Sequence, residues 1–321
     1  MTDMNIKNGL IYLLIAAILA ASVPNVAVAA TSSYATTHHN SAGHTNDYST
    51  LAGSSRSNDI LNGKFEANSS VTPSASFDGI VYVGSCDHNV YALNARTGEK
   101  VWSYTTGSIV HCSPAVVNGI VYIGSYDHNV YALNARTGDR VWSYTTRGIV
   151  ACSPTVANGI VYTGSDDHNV YALGANTGTK IWSYATERFA HVSPAVSNGI
   201  VYVGCWNGNV YALNARTGEK LWNYAARGIV HSAPAVANGI VYFGSEDRNI
   251  YAVNAETGTK IWNYTTGSNV HASPTVAKGI VYAGSWDGNV YALGANTGTK
   301  LWSYATRSIV WSTPAIANGV G

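Results

Sequence analysis

The chain has 321 residues, only 11% of them charged, and a formal net charge of +1. This balance, without any run of Lys or Arg, excludes nucleic-acid binding as the main function. The composition favours Tyr, Val, Gly, Asn and Thr. It is therefore typical of β-strands joined by tight turns.

Residues 1–30 are predicted to be a signal peptide. Lys7 precedes an apolar stretch from Gly9 to Val23, and Ala27-Val28-Ala29 offers the small residues that a signal peptidase needs. The alternative is an uncleaved membrane anchor, because the apolar stretch runs nearly to Ala30. Both alternatives predict export, to the outside or to the cell surface. Membrane contact is expected only through such an anchor, since no later segment has the roughly 18 apolar residues of a membrane span.

Residues 31–59 are polar, rich in Ser, Thr, Asn and His, and are predicted to be a linker or a loosely attached arm. From residue 60 to residue 321 the sequence is a tandem repeat. A tryptophan recurs every 40 residues, at Trp102, Trp142, Trp182, Trp222, Trp262 and Trp302. A period of this length predicts a repeat architecture.

One unit, from Ser113 to Tyr144, predicts four strands: Pro114–Val117, Ile120–Gly124, Val130–Asn134 and Arg140–Tyr144. Asn118-Gly119 between the first two is a strong hairpin signal, because a type I′ turn needs positive φ at both central residues. No helical period is present. Apolar runs such as Ile-Val-Tyr-Ile are typical of a sheet covered on both faces.

We therefore predict an all-β fold, a β-propeller of four-stranded blades. Six repeats are complete. A partial seventh blade is expected from the two ends, with a fourth strand from Leu61 to Asn68 and a first strand from Ser312 to Asn318. The alternative is a chain shorter than its relatives, which often have eight blades. The alternative is a stacked solenoid, which is disfavoured because the C-terminus shows no polar capping repeat.

The segment from Ala92 to Trp102 reads Ala-Leu-Asn-Ala-Arg-Thr-Gly-Glu-Lys-Val-Trp, and Thr, Gly and Trp keep their places in every later copy. It resembles the tryptophan-docking motif of the pyrroloquinoline-quinone (PQQ) repeat family, with Asn94 where that family usually has Asp. The resemblance covers roughly Thr72 to Gly321. It implies that each repeated Trp packs against the adjacent blade, which predicts a structural rather than a catalytic role.

The blades differ mainly at two positions, which a meander places on one face of the ring. The first lies between the second and third strands: Cys86, Tyr126, Asp166, Trp206, Glu246 and Trp286. The second precedes the first strand: His111, Ala151, His191, His231, His271 and Trp311. We predict a partner-binding face formed by Tyr126, Trp206, Trp286, His191, His231 and His271, since aromatic residues dominate binding hot spots. The alternative is ordinary exposed hairpin tips.

The four histidines at the second position suggest a metal, because imidazole is a common metal ligand. We expect no metal site, since equivalent points around a wide ring are expected to lie too far apart to share one ion. Inheritance from one ancestral repeat also explains them. The four cysteines match no zinc pattern. Cys112 and Cys152 are the most plausible disulfide pair, but free thiols are favoured.

No catalytic residue is predicted, because no Ser-His-Asp arrangement or phosphate loop is recognisable. The resemblance implies that a quinone enzyme needs a calcium site, a carboxylate base and often adjacent cysteines, and this chain has no Cys-Cys pair. We predict an exported, non-catalytic scaffold that binds a protein or a glycan, without a cofactor. The alternatives are a PQQ-dependent oxidoreductase, with PQQ and calcium, and an envelope-assembly scaffold.

Overall fold

The structure is a computed structural model that describes residues 69–72 and 74–316. These residues form six four-stranded antiparallel sheets, each with its strands in chain order. The predicted all-β propeller architecture is thereby confirmed. Within the same residues, no helix has the length and apolar character needed to cross a membrane. The predicted signal segment and polar arm lie outside the described residues.

Each sheet is one blade, and the strands are numbered in chain order. Blade 1 contains β1 (Ala75–Phe77), β2 (Ile80–Gly84), β3 (Asn89–Asn94) and β4 (Lys100–Thr105). Blade 2 contains β5 (Ala115–Val117), β6 (Ile120–Gly124), β7 (Asn129–Asn134) and β8 (Arg140–Thr145). Blade 3 contains β9 (Thr155–Ala157), β10 (Ile160–Gly164), β11 (Asn169–Gly174) and β12 (Lys180–Ala185). Blade 4 contains β13 (Ala195–Ser197), β14 (Ile200–Gly204), β15 (Asn209–Asn214) and β16 (Lys220–Ala225). Blade 5 contains β17 (Ala235–Ala237), β18 (Ile240–Gly244), β19 (Asn249–Asn254) and β20 (Lys260–Thr265). Blade 6 contains β21 (Thr275–Ala277), β22 (Ile280–Gly284), β23 (Asn289–Gly294) and β24 (Lys300–Ala305).

The strands of blade 2 begin and end within one residue of the predicted bounds. Asn118 and Gly119 both have positive φ, 50° and 74°, as a type I′ hairpin turn requires. The turn pairs Val117 with Ile120 and so sets the register of β5 and β6. The hairpin predicted from Asn-Gly is confirmed.

The hydrophobic core lies between neighbouring blades. One cluster combines Tyr82 and Trp102 of blade 1 with Ile123 and Leu133 of blade 2. The middle strands of the blades are buried on both faces, and the tyrosines of the Gly-Ile-Val-Tyr copies in blades 1 to 5 are at most 2% exposed. The apolar runs in the sequence are therefore explained by contact with a blade on each side.

In blades 1 to 5 the repeated indole spans the gap to the next blade. The Nε1 of Trp182, for example, donates a hydrogen bond of 3.0 Å to the carbonyl oxygen of Ala215. The hydroxyl of Tyr162 donates to the same carbonyl, also at 3.0 Å. Equivalent indole bonds of 2.7–2.9 Å join Trp102 to Ala135, Trp142 to Ala175, Trp222 to Ala255 and Trp262 to Ala295.

In blades 2 to 6, the glycine of the turn between the third and fourth strands lies directly under the indole of the preceding blade. A Cβ atom built on Gly218, whose φ is +75°, would lie 2.6 Å from Cδ2 of Trp182. This is well inside van der Waals contact, so the position needs glycine for space as well as for φ.

Trp302 in blade 6 departs from this pattern. It is 45% exposed, whereas the other five repeated tryptophans are at most 8% exposed. No blade follows blade 6 among the described residues, so no Ala carbonyl accepts a bond from its Nε1 there. Among the described residues no adjacent blade covers this tryptophan, so its predicted packing stays a prediction.

The predicted seventh blade is not formed among the described residues. Residues 312–316 belong to no strand, and the predicted strand from Leu61 to Asn68 lies outside the described residues. Thr275 nevertheless donates a hydrogen bond of 2.5 Å to the carbonyl oxygen of Pro314. Thr155 makes the same bond to Pro194 of the next blade, at 2.6 Å. Pro314 thus occupies the place of the residue immediately before a first strand.

In blades 2, 3, 5 and 6, an aspartate after the second strand connects the blade to the preceding one. Asp127 Oδ2 accepts hydrogen bonds from the Tyr131 hydroxyl, at 2.6 Å, and from the Gly107 amide of blade 1, also at 2.6 Å. Burial alone raises the pKa of Asp127, but these donors, with Asn129, outweigh it and hold the pKa below its ordinary value. In blade 4, Asn207 donates instead to the Tyr211 hydroxyl, at 2.7 Å.

This arrangement predicts a specific acid sensitivity. Since the folded-state pKa lies below the unfolded value of about 3.9, the stabilisation is complete above that value. It is lost as the pH falls through the folded-state pKa. Joint replacement Asp127→Asn, Asp167→Asn and Asp247→Asn should lower stability at pH 7 and flatten its decline in acid. Urea unfolding at a series of pH values measures both, and an unchanged acid slope would contradict the assignment.

Candidate functional site

The two variable positions meet on one face of the ring. The turn after β6 and the connection after β4 lie side by side, and the Tyr126 amide donates a 2.9 Å hydrogen bond to the Ile109 carbonyl. The first strands of successive blades contact one another, so they are the innermost strands. The histidine position immediately precedes these strands. Its side chains are therefore close to the centre of the ring, where neighbouring blades approach each other most closely.

Five of the six predicted face residues gather into one continuous set of stacked and tilted rings. Successive ring centroids lie 4.0–5.1 Å apart. The series is His191, Trp206, His231, His271, Trp286 and Trp311, here called the His–Trp cluster. Trp311 was not among the predicted face residues, although it occupies the same repeat position as the histidines.

Two imidazoles at the centre of the cluster share one carboxylate. The rings of His231 and His271 are 4.3 Å apart and only 16° from parallel. The Nε2 atom of each lies 3.1 Å from Oε1 of Glu246. Burial raises the pKa of the Glu246 carboxyl. Sequence reasoning gave Glu246 no role, although it occupies the same turn position as Trp206 and Trp286.

The other end of the cluster has its own acidic contact. The Nε2 atom of His191 contacts Oδ1 of Asp166, and both side chains are largely buried. Phe189 packs edge-on against Trp206, with centroids 5.3 Å apart. Phe189 was missed because its copies in other blades are Ile or Asn, so the repeat pattern offered no signal of its role.

Tyr126 is on the same face but outside the cluster. Its ring contacts His111, with centroids 5.9 Å apart. Burial lowers the pKa of His111, and the nearby His191 lowers it further. The structure therefore brings five predicted residues together and leaves Tyr126 beside a different histidine.

Two expectations are corrected here. The histidines were expected to lie too far apart to share one ion, and this is wrong for His231 and His271. Neighbouring blades approach one another most closely near the axis of the ring. Both side chains project from the innermost part of their blades, so they meet there. The alternative of exposed hairpin tips is also wrong, because Tyr126, Trp206 and Trp286 are each partly buried.

All four cysteines are free thiols in the structure. Cys112 and Cys152 are buried, and each interacts with the last residue of a second strand instead of with the other. Cys112 Sγ accepts a hydrogen bond of 3.1 Å from the Gly124 amide and lies 3.3 Å from the Gly124 carbonyl oxygen. Ser232 makes the same pair of bonds to Gly244. A thiol and a hydroxyl therefore make equivalent contacts at this repeat position.

The donor atoms at the centre of this face do not suit a calcium–quinone site. Calcium takes six to eight oxygen ligands, whereas the cluster offers imidazoles and indoles. Its two carboxylates, Asp166 and Glu246, already contact histidines. This set of side chains matches the nitrogen-rich ligands of transition metals better than the ligands of calcium.

Comparison with known proteins supports the fold assignment. None of the curated proteins matches the chain. The crystal structure of BamB from Moraxella catarrhalis is similar with a TM-score of 0.70 at 21% identity, covering 79% of this chain and 80% of that chain. The computationally designed Ika8 protein gives 0.70 at 23% identity, with 77% and 78% coverage. A europium-containing methanol dehydrogenase gives 0.64 at 15% identity, with 75% and 69% coverage. At these identities the likeness shows the fold alone.

The family comparison is more specific. A family model described as outer membrane protein assembly factor BamB matches residues 47–188, 146–230 and 206–318. These matches cover all six blades, including every repeated tryptophan. The chain therefore belongs to this family of PQQ-like repeat proteins.

Proposed function

We propose that the chain is an exported, non-catalytic propeller scaffold that binds a protein partner through the face bearing the His–Trp cluster. The observation that carries this proposal is where the blades differ. Their strands are nearly identical, and the residues that vary most gather on one face in contact with one another. A surface that differs from blade to blade can recognise a specific partner, whereas a uniform one offers little to discriminate with.

The chemistry of the face is suited to protein recognition. Aromatic side chains supply large contact areas at low conformational cost and dominate binding hot spots. The cluster residues are already packed against one another, so little ordering is required on binding. The family description, an outer membrane protein assembly factor, agrees with a scaffold that holds another protein. Export is part of the proposal and rests on the predicted signal segment in residues 1–30.

The opposite face is the natural comparison. It carries the Asn-Gly hairpins and the Ala-Arg-Thr-Gly turns, which recur with small changes. Arg96, Arg136 and Arg216 are exposed there. The Arg136 guanidinium makes an exposed ion pair with Asp78 of blade 1, at 3.3 Å, and such pairs contribute little energy.

Joint substitution Tyr126→Ser, Trp206→Ser and Trp286→Ser is expected to abolish partner binding. The test immobilises the purified chain, exposes it to an envelope-protein extract and to a glycan array, and quantifies what is retained. Circular dichroism must first show that the variant keeps the β-propeller spectrum, because these side chains are partly buried.

The matched control replaces Arg96, Arg136 and Arg216 with Ser and should retain binding. Loss of binding in the arginine variant alone would overturn the choice of face. If the immobilised chain retains glycans but no protein, the proposed partner would be a glycan instead of a protein.

The oxidoreductase alternative has a direct test. The purified chain is incubated with PQQ and calcium and assayed for alcohol or aldose oxidation with an artificial electron acceptor. No turnover above the cofactor blank is expected. Robust turnover would replace the scaffold proposal.

A further inference from the structure

The three side chains at the centre of the His–Trp cluster form a set of metal ligands. His231, Glu246 and His271 each offer one ligand atom, and these atoms all lie within 4.8 Å of one another. They come from three separate places in the chain: two connections before first strands and one turn after a second strand. The repeat brings them together because all three positions lie on the same face near the centre.

The distances are close to those of a coordination shell. Zinc bonds of roughly 2.0–2.2 Å, arranged tetrahedrally, place neighbouring donor atoms about 3.3–3.6 Å apart. Glu246 Oε1 lies 3.1 Å from both Nε2 atoms. The remaining separation, between the two imidazole donors, is at most 4.8 Å. To bring the two imidazole donors to this tetrahedral separation, the tip of one ring must move by roughly an ångström.

The surroundings hold the ligands in place. Trp286 stacks on His271, with ring centroids 4.0 Å apart and planes 19° from parallel. Trp206 packs against His231, with ring centroids 4.8 Å apart. The side chains of His231 and His271 are only 14% and 11% exposed, whereas Glu246 is 27% exposed. These contacts limit the imidazoles to small adjustments, and solvent reaches the carboxylate side, where a further ligand can enter.

Sequence differences between the blades restrict this set of ligands to one place among the described residues. Blade 2 has Tyr126 and blade 4 has Trp206 where blade 5 has Glu246, so neither provides a carboxylate at this position. Blade 3 has Asp166, but Ala151 stands before its first strand, and Asp166 contacts a single histidine. Among the described residues, only the centre formed by blades 4, 5 and 6 combines two imidazoles with a carboxylate in this way.

We propose that His231, Glu246 and His271 bind a divalent transition-metal ion, with zinc as the best match to the ligand set. Two imidazoles and one carboxylate are zinc ligands, and three protein ligands leave a fourth position for water or for a group of a bound molecule. Imidazole nitrogen distinguishes this site from calcium and magnesium sites, which use oxygen ligands. The site goes beyond the proposed scaffold function and does not depend on it.

The test is calorimetric titration of the full chain with zinc chloride. His38, His39 and His44 of the N-terminal segment can also capture metal, so all three are first replaced by Asn in every protein tested. One zinc ion per chain is expected to bind, with a dissociation constant in the micromolar range or below. Calcium chloride should give no stoichiometric binding. Cobalt chloride should produce the visible absorption of a low-coordinate Co²⁺ ion.

Three variants and one control decide the assignment. His231→Ala, His271→Ala and the isosteric Glu246→Gln should each weaken zinc binding at least about tenfold, in keeping with the loss of one of three ligands. His111 occupies the same repeat position as His231 but contacts Tyr126. The control variant His111→Ala should therefore bind zinc as the unsubstituted protein does. The melting temperature without metal shows that each variant folds. Absence of stoichiometric zinc binding, or equal binding by all four variants, would overturn the proposal.

Discussion

Replacing Trp182 with Ala is expected to lower the free energy of unfolding by about 3–5 kcal/mol, the usual cost of removing a buried indole. Trp182 is 7% exposed and packs against Tyr162, with ring centroids 5.9 Å apart. Its loss also removes one of the two hydrogen bonds to the Ala215 carbonyl. A cavity then opens between blades 3 and 4. Thermal and urea unfolding of the two proteins measure the difference.

Trp302→Ala is the matched control, because the same residue occupies the same place in its blade. It packs against Tyr282 at the same centroid distance of 5.9 Å, but 45% of it is exposed. Its replacement should cost about 1 kcal/mol or less, as most surface substitutions do. Equal losses in the two variants would show that contact with the next blade contributes little. The role of the repeated tryptophans in holding the ring together would then be wrong.

The second large effect is expected at Gly218. An Ala Cβ there would overlap the Trp182 ring at 2.6 Å, and the backbone has a φ of +75°. The left-handed conformation costs a residue with a Cβ about 1–2 kcal/mol. Displacing a packed indole adds roughly 1–3 kcal/mol. Gly218→Ala should therefore destabilise the chain by several kcal/mol in total, as measured by urea unfolding.

Gly199 provides the comparison for Gly218 within the same blade. Its φ is +76°, but no atom lies within 4 Å of the Cβ position. Gly199→Ala thus carries the conformational cost without the collision and should destabilise by only about 1–2 kcal/mol. The difference between the two variants isolates the steric demand of the indole. If Gly199→Ala proved the more harmful, the packing explanation for Gly218 would fail.

The fold was largely predictable because of two local signals, a tryptophan that recurs in every repeat and an Asn-Gly pair that recurs in blades 2 to 5. The tryptophan spacing defined the blade, and Asn118-Gly119 located the first hairpin and its register. A meander of four short strands then determines which turns share a face. The contact between Tyr126 and the segment before β5 follows from that geometry.

Five residues of the candidate site were predicted from the sequence, but their arrangement was not. Periodicity identifies equivalent positions, yet it carries no information about the radius at which each position lies. His231 and His271 start near the axis, so the side chains meet although their blades diverge further out. The same argument explains why Trp206 and Trp286 are partly buried. The role of Glu246 depends on a contact between blades, which no single repeat displays.

Each buried indole described above donates its hydrogen bond to the blade that follows it in the chain. The turns that carry the acceptor carbonyls are nearly identical from blade to blade. The contact itself therefore does not identify the correct neighbour. What selects that neighbour is covalent connection: β8 and β9, for example, are separated only by residues 146–154. A connection this short gives the adjacent blade an effective concentration on the order of millimolar. Folding in dilute solution consequently favours the blade next in sequence, while crowded refolding invites exchange of blades between chains.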